Sequence, residues 1–167
     1  MYLNKRKIIF LISIFLLVFL LTINDIKSQE LKVVDGDTIH LNGEKIRFTG
    51  IDTPELKQTC IKQGIKDYCG ITAKKILIDK IGNKTVECIS QGKDQYKRTL
   101  AECFVNNESL SIYLVRSGYA FAYRKYSNKY IPDEDYAKVN QIGMWSMNFD
   151  YPWDYRKKRC SVIKPLI

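Results

Sequence analysis

Three short segments concentrate the residues able to do hydrolytic chemistry. Residues 33–38 read VVDGDT and set Asp35 and Asp37 on either side of a glycine; residues 47–55 read RFTGIDTPE and carry Arg47, Asp52, Thr53 and Glu55; residues 94–101 read DQYKRTLA and carry Tyr96 and Arg98. Each alone has an ordinary structural explanation. Asp-Gly-Asp and Asp-Thr-Pro are turn formers, because Asp bonds its own backbone and the residue before proline is held extended. An arginine at a strand start is ordinarily a solvated edge residue. Together the segments supply complementary charges, provided Asp37, Asp52, Arg47, Glu55 and Arg98 converge in one cleft. Two carboxylates with a backbone carbonyl or hydroxyl and water suit a hard cation such as Ca²⁺. Two guanidiniums can grip the equatorial oxygens of a phosphodiester as negative charge builds there. A glutamate free of the metal can take a proton from attacking water. Neither histidine nor a nucleophilic cysteine is needed.

Convergence depends on the elements that carry these side chains. From Leu31 the chain runs in short period-two stretches, LKVV, TIHL and EKIRFTGI, with Asn42-Gly43 as a hairpin signal between the last two. Residues 56–70 lack clean periodicity and are expected to form a stapled loop. TAKKILIDKIG has Ile76, Leu77 and Ile81 at helical spacing, with Gly82 as a stop. KTVECIS and RTLAECFV read as two more strands. SLSIYLVRSG is amphipathic, and PDEDYAKVNQIG opens with proline and acids and closes at a glycine, as a helix should. Three strands, a helix, two strands and further helices is the element order of an α+β, mainly β fold: a five-stranded OB-type barrel with about three helices. Periodicity alone leaves other α+β sheets open.

The chain has 167 residues, enough for one domain with a substantial core. It opens with Lys5, Arg6 and Lys7 followed by an uncharged, mostly apolar run over residues 8–24. This pattern fits a cleaved secretory signal or an uncleaved membrane anchor, and either implies export. The expected division is therefore a targeting segment over 1–28, a globular domain over 29–147 and a basic C-terminal tail over 148–167. Five cysteines in an oxidising compartment should pair, leaving one over. The expected pairs are Cys60 with Cys69, closing a short loop, and Cys88 with Cys103, on successive strands, with Cys160 in the basic tail as the spare, although sequence alone does not prove this connectivity. With one histidine, His40, and no C-x-x-C, a zinc site is not expected. The formal charge is +9, of which +6 remains beyond residue 28. That balance favours a polyanionic partner without identifying it.

The stretches VVDGDTIHLNGEKIRFTGIDTPE, DQYKRTLAEC, LVRSGYAFAYRKYS and GMWS, in this order and spacing, resemble the thermonuclease family, the staphylococcal-nuclease-like fold. The resemblance spans residues 33–146. It implies an OB-fold barrel with three helices, a dependence on one Ca²⁺ ion, and hydrolysis of DNA and RNA to products ending in a 3′-phosphate. It further implies Asp37 and Asp52 as carboxylate ligands, with Thr53 supplying its carbonyl. Arg47 and Arg98 would hold the phosphate, Glu55 would be the general base, and Asp35 would lie near the metal without binding it. Tyr96 and Tyr123 would line the nucleotide pocket, the match at Tyr123 needing a one-residue gap. The cysteines and the ending YPWDYRKKR look like a bacterial branch of the family with stapled loops.

The expected protein is an exported nuclease acting as a monomer on DNA and RNA, with no obligate protein partner and a membrane contact only if the N-terminal segment is retained. The competing expectation is an OB-fold nucleic-acid-binding module without activity. Arg47, Glu55 and Arg98 are what a pure binding module would have no reason to keep. An anchored surface protein recognising another protein would account for the N-terminus but not for the acids and arginines.

Overall fold

The computed structural model describes residues 5, 6, 13 and 29–163. The expected targeting segment lies outside the described residues apart from those three positions. Among the described residues no helix is long and apolar enough to cross a membrane.

Alternating side chains drive the first hairpins. β1 (Leu31–Val33), β2 (Thr38–Leu41) and β3 (Glu44–Phe48) pair antiparallel in sequence, and the β2–β3 turn at Asn42 and Gly43 has φ of 51° and 83°. Two positive φ values match the right-handed strand twist, which is why Asn-Gly suits this turn. Ile39, Ile46 and Phe48 point inward and are buried. After the two-residue β4 (Ile51–Asp52) comes a hairpin, β5 (Cys60–Lys62) and β6 (Ile65–Asp67), inside the segment expected to be a plain stapled loop. Its turn uses Gln63 and Gly64, again both at positive φ, and its strands alternate too weakly to be seen in the sequence.

Helix α1 (Cys69–Ile81) buries Ala73, Leu77 and Ile81 against the sheet. β7 (Glu87–Lys93) and β8 (Thr99–Val105) form the long hairpin, and β8 also runs parallel to β3, with Arg47 opposite Leu100. The ladder order is β1-β2-β3-β8-β7, with the short β9 (Glu108–Ser109) on β8. No ladder joins β7 back to β1 among the described residues, so the pairing is that of an open mixed sheet in an α+β fold. Helix α2 (Leu110–Arg116) starts at Ser109, whose hydroxyl accepts from the Ile112 amide. It is followed by β10 (Phe121–Ala122), antiparallel to β4, and by α3 (Ile131–Val139), whose first turn carries Pro132, Asp133 and Glu134.

Among the described residues a fourth α-helix adds to the three expected. Residues 143–146 form a 3₁₀ turn, and α4 (Pro152–Ile163) occupies the segment read as a basic tail. This helix lacks an apolar stripe of its own. It is held instead by a second core in which Phe121, Met144 and the Cys60–Cys69 bridge are covered by Trp145, Phe149, Tyr151 and Trp153. Phe121 alone meets the rings of Trp145, Phe149, Tyr151 and Trp153 at centroid distances of 5.4, 5.2, 5.1 and 6.3 Å, close enough for edge and stacked contacts to add to burial.

The structure pairs Cys60 with Cys69 and Cys88 with Cys103, the latter directly opposite each other on β7 and β8, and leaves Cys160 free and exposed. Closing loops of 9 and 15 residues restricts the unfolded chain. Replacing either pair with alanine should therefore lower unfolding free energy by about 2 to 3 kcal/mol in denaturant titrations. Peptide mapping without reduction should recover both bridges, and an intrachain link to Cys160 would contradict the pairing.

Candidate active site

Asp37 sits immediately before β2, Arg47 lies opposite Thr38 in the β2–β3 register, and Asp52 ends β4. Three neighbouring strand ends thus bring two carboxylates and one guanidinium together. Arg47 Nη1 donates to Asp37 Oδ1 at 2.5 Å and Nη2 to Asp52 Oδ1 at 2.8 Å. The Thr53 amide donates to Asp37 Oδ2 at 3.0 Å, and the Thr38 hydroxyl donates to Oδ1 at 3.1 Å. Asp37, Asp52 and Thr53 are all buried. Asp35 turns back on the same loop, where its Oδ1 accepts from the Asp37 amide at 3.1 Å.

On its other side Arg47 opens onto a cleft of about 760 Å³ that is also lined by Arg98, Tyr96, Tyr123, Lys93 and Lys125. Asp94 lines the same cleft. Its Oδ1 accepts from the amides of Tyr96 and Arg98 at 2.8 and 2.9 Å, and its Oδ2 accepts from Arg98 Nε at 2.7 Å, with Nη2 at the same distance. That grip orients the Arg98 guanidinium, which also lies 5.6 Å from the Tyr96 ring centroid. Tyr123 stands edge-on to Tyr126 and is stacked at 5.5 Å on Trp153 with a 4° interplanar angle. One face of Tyr123 is therefore covered by α4.

Glu55 is reached differently. It contacts neither Arg47 nor Arg98 in the described hydrogen bonds and ion pairs, but Arg156 of α4, whose Nη1 donates to Glu55 Oε1 at 2.8 Å. The same guanidinium forks onto Asp52, with Nη2 to Oδ2 at 2.6 Å and Nη1 to Oδ1 at 3.2 Å. Gln58, fully buried, ties the Glu55 turn to the C-terminal segment: its Oε1 accepts from the Glu55 amide at 3.2 Å and its Nε2 donates to the Asp150 carbonyl at 2.6 Å. The hydroxyl of Tyr155 donates to the Lys57 carbonyl at 3.1 Å. Asp94, Gln58 and Arg156 were not singled out in the sequence. The Asp94 role was accessible from its position at the head of a turn; the other two had no local signal.

Oxygen-only donors of this kind suit a hard cation. Among the described residues no three His, Cys, Asp or Glu side chains gather into a ready-made metal cage, so protein ligation would rest on the Asp37 and Asp52 carboxylates and main-chain oxygen at Thr53. Burial pushes Asp37 up to about 6 although Arg47 pulls it down, with Asp35 adding to the rise. Burial also raises Asp52, against the opposing hydrogen bond from Arg156. Burial, only partly offset by the two guanidiniums, leaves these carboxylates reluctant to ionise, and a bound divalent ion would favour their charged form. The donor set fits such an ion.

Gly70, in the first turn of α1, sets how closely that helix approaches the Glu55 turn. A Cβ there would lie 1.9 Å from the Glu55 carbonyl oxygen and 2.9 Å from Leu56 Cα, both backbone atoms with no rotamer to escape through. Gly70→Ala should push the Glu55 turn away from α1, lower stability by about 1 to 3 kcal/mol, and reduce any activity that needs Glu55. Thermal unfolding with circular dichroism checks the first effect; an unchanged midpoint would mean the turn is free to move.

Residues 45–147 match the family described as staphylococcal nuclease homologue. A protein named an uncharacterized endonuclease from Haemophilus influenzae is 32% identical, covering 70% of this chain and 65% of that protein. A succinoglycan biosynthesis protein of Rhizobium meliloti is also 32% identical, covering 68% of this chain and 61% of its own length. A Bacillus subtilis endonuclease is 30% identical over 76% of this chain but only 12% of that protein. The chain thus spans less than two thirds of the length of each of these relatives.

Proposed function

The chain belongs to the family of staphylococcal nuclease homologues, and from that premise we propose that it is an exported, Ca²⁺-dependent endonuclease that hydrolyses phosphodiester bonds of DNA and RNA to 3′-phosphate products. The observation that carries this is the position of Arg47 between a buried carboxylate pair and a basic, tyrosine-lined cleft that also holds Arg98. Asp37, Asp52 and the Thr53 carbonyl would hold the ion, which would supply positive charge to the phosphate when bound. Arg47 and Arg98, which both line the cleft, hold the equatorial oxygens of the phosphate. Glu55 takes the proton as water attacks phosphorus, and the P–O5′ bond breaks with its electron pair leaving on O5′. Tyr96 offers an exposed ring to a base, and Tyr123 offers the face that Trp153 leaves open.

The family and the strand order support an OB-type barrel as the underlying plan, with 29–147 as the nuclease domain, 1–28 as signal or anchor and 148–167 as a C-terminal addition. Two disulfides point to an extracytoplasmic protein. Export, as a secreted, periplasmic or outward-facing anchored monomer, is the setting we propose.

Purified residues 29–167 should degrade plasmid DNA and RNA when Ca²⁺ is present and stop when it is chelated. Glu55→Gln should slow turnover at least tenfold while Ca²⁺ binding, followed by calorimetry, stays within a few-fold of the parent. Nucleic-acid binding without cleavage under every metal condition would replace this function with that of a non-catalytic binding module.

A further inference from the structure

Arg156 is supplied by α4, more than 100 residues from the carboxylates that it meets. Its guanidinium takes both oxygens of Asp52, at 3.2 and 2.6 Å, and Glu55 at 2.8 Å. Asp52 Oδ1 is shared with Arg47, while Oδ2 faces Arg156 alone among the described donors. A divalent cation bound to Asp52 needs the oxygen lone pairs and the charge that Arg156 now engages, because a carboxylate offers only about four lone-pair directions. Two cations crowded onto one buried carboxylate also repel each other strongly where water screens them poorly.

We propose that Arg156 is a built-in counter-cation at the cation site: it holds Asp52 and Glu55 together until a divalent ion displaces it, so that ion binding and the docking of α4 oppose each other. This rests on the function proposed above and adds to it the regulation of that site. The remainder of α4 is anchored independently, since Trp153 stacks between Tyr123 and Tyr151 at 5.5 and 4.7 Å and Tyr155 bonds the Lys57 carbonyl. Displacing Arg156 therefore loosens the helix without detaching the aromatic residues that precede it. Its neighbours are otherwise engaged: Lys157 pairs with Asp154, Lys158 with Asp150, and Arg159 lies over the Tyr155 ring at 5.9 Å. Linkage makes the relation reciprocal. A cation that loosens α4 must bind more tightly to a protein in which Arg156 no longer competes.

Calorimetric titration of the full chain, in mild detergent, with Ca²⁺ alone and no nucleic acid tests this. Arg156→Gln should bind Ca²⁺ at least tenfold more tightly than the parent, equivalent to about 1.4 kcal/mol. Arg156→Lys, which keeps the charge but cannot fork, should gain a smaller factor. Arg159→Gln removes one positive charge from the same helix and should stay within twofold of the parent. Saturating Ca²⁺ should speed amide exchange over residues 152–161 in the parent. The proposal is overturned if Arg156→Gln folds yet binds Ca²⁺ no more tightly, or if Arg159→Gln gains as much. It is also overturned if exchange in α4 is unaffected by Ca²⁺, or if neither parent nor variants bind the ion. Should Arg156→Gln fail to fold, Arg156→Lys is judged by the same affinity and exchange criteria. Cleavage activity takes no part in this test. A chain that cuts DNA with Ca²⁺ but shows no affinity gain loses this proposal and keeps the proposed function; a gain in affinity without cleavage does the reverse.

Discussion

Arg98→Lys should lower kcat by a factor on the order of 10² or more, about 2.7 kcal/mol of barrier, with a much smaller change in KM. The structure gives the reason in two parts. Asp94 fixes the guanidinium from behind through Nε and Nη2, both at 2.7 Å, while Asp94 is itself fixed by two backbone amides. Arg98 is therefore held in a set orientation in the cleft that Arg47 also lines, and Nε and Nη2 are the guanidinium atoms that Asp94 engages. Lysine keeps the charge but cannot serve Asp94 and a phosphate from one planar fork. Loss of that geometry matters most when charge on the phosphate is greatest, in the transition state, which is why kcat rather than KM should carry the effect. Steady-state kinetics on a short DNA substrate separates the two. Near-normal turnover with Ca²⁺-dependent cleavage intact would make Arg98 an edge-strand surface residue.

Arg47→Gln is expected to be costlier still, because it acts on stability as well as on rate. Arg47 bridges Asp37 and Asp52 at 2.5 and 2.8 Å, and both carboxylates are at most 2% exposed. Removing one partner of a buried ion pair leaves charge that neither water nor protein compensates, a loss of about 3 to 5 kcal/mol. Arg156 remains to neutralise Asp52, so the unrelieved burden falls on Asp37. Metal-free protein should show a clearly lowered denaturant midpoint. Added Ca²⁺ should restore more stability to Arg47→Gln than it adds to the parent, because two carboxylates released from a guanidinium are a better cation ligand. Cleavage should remain at least 10² below the parent even when Ca²⁺ has rescued the fold, since one of the two phosphate grips is gone. A variant as stable as the parent without metal would show that Arg47 does not hold the carboxylate pair.

Much of the site was legible from sequence, for a physical reason specific to strand ends. Asp37, Arg47 and Asp52 lie within 16 residues of one another and are brought together by one hairpin and one short strand, so period-two alternation and an Asn-Gly turn nearly suffice to place them. Arg98 follows from one further step, the pairing of β8 alongside β3. Glu55 was identified as a residue but not in its surroundings. Its partner is Arg156, and its turn is held by Gln58 and packed against Gly70. The hairpin of β5 and β6 was missed because its alternation is weak, and α4 because its residues show no apolar periodicity.

The amino-acid sequence by itself determined the order of the main elements and the inventory of acids and arginines able to act on a phosphodiester, and it made Cys60–Cys69 and Cys88–Cys103 the expected pairs, which the structure then showed. These are local properties: backbone preference, side-chain period and residue chemistry act over a few neighbours or across one turn. Only the tertiary structure decided that a segment read as a basic tail is a helix whose arginine reaches the carboxylates, and that Trp153 covers one face of Tyr123. Those contacts join positions 30 to 104 residues apart. They depend on an aromatic cluster around Phe121 whose members follow no helical or strand period, and burial of that kind has no expression in the chain until the sheet and the stapled hairpin supply the surface on which it forms.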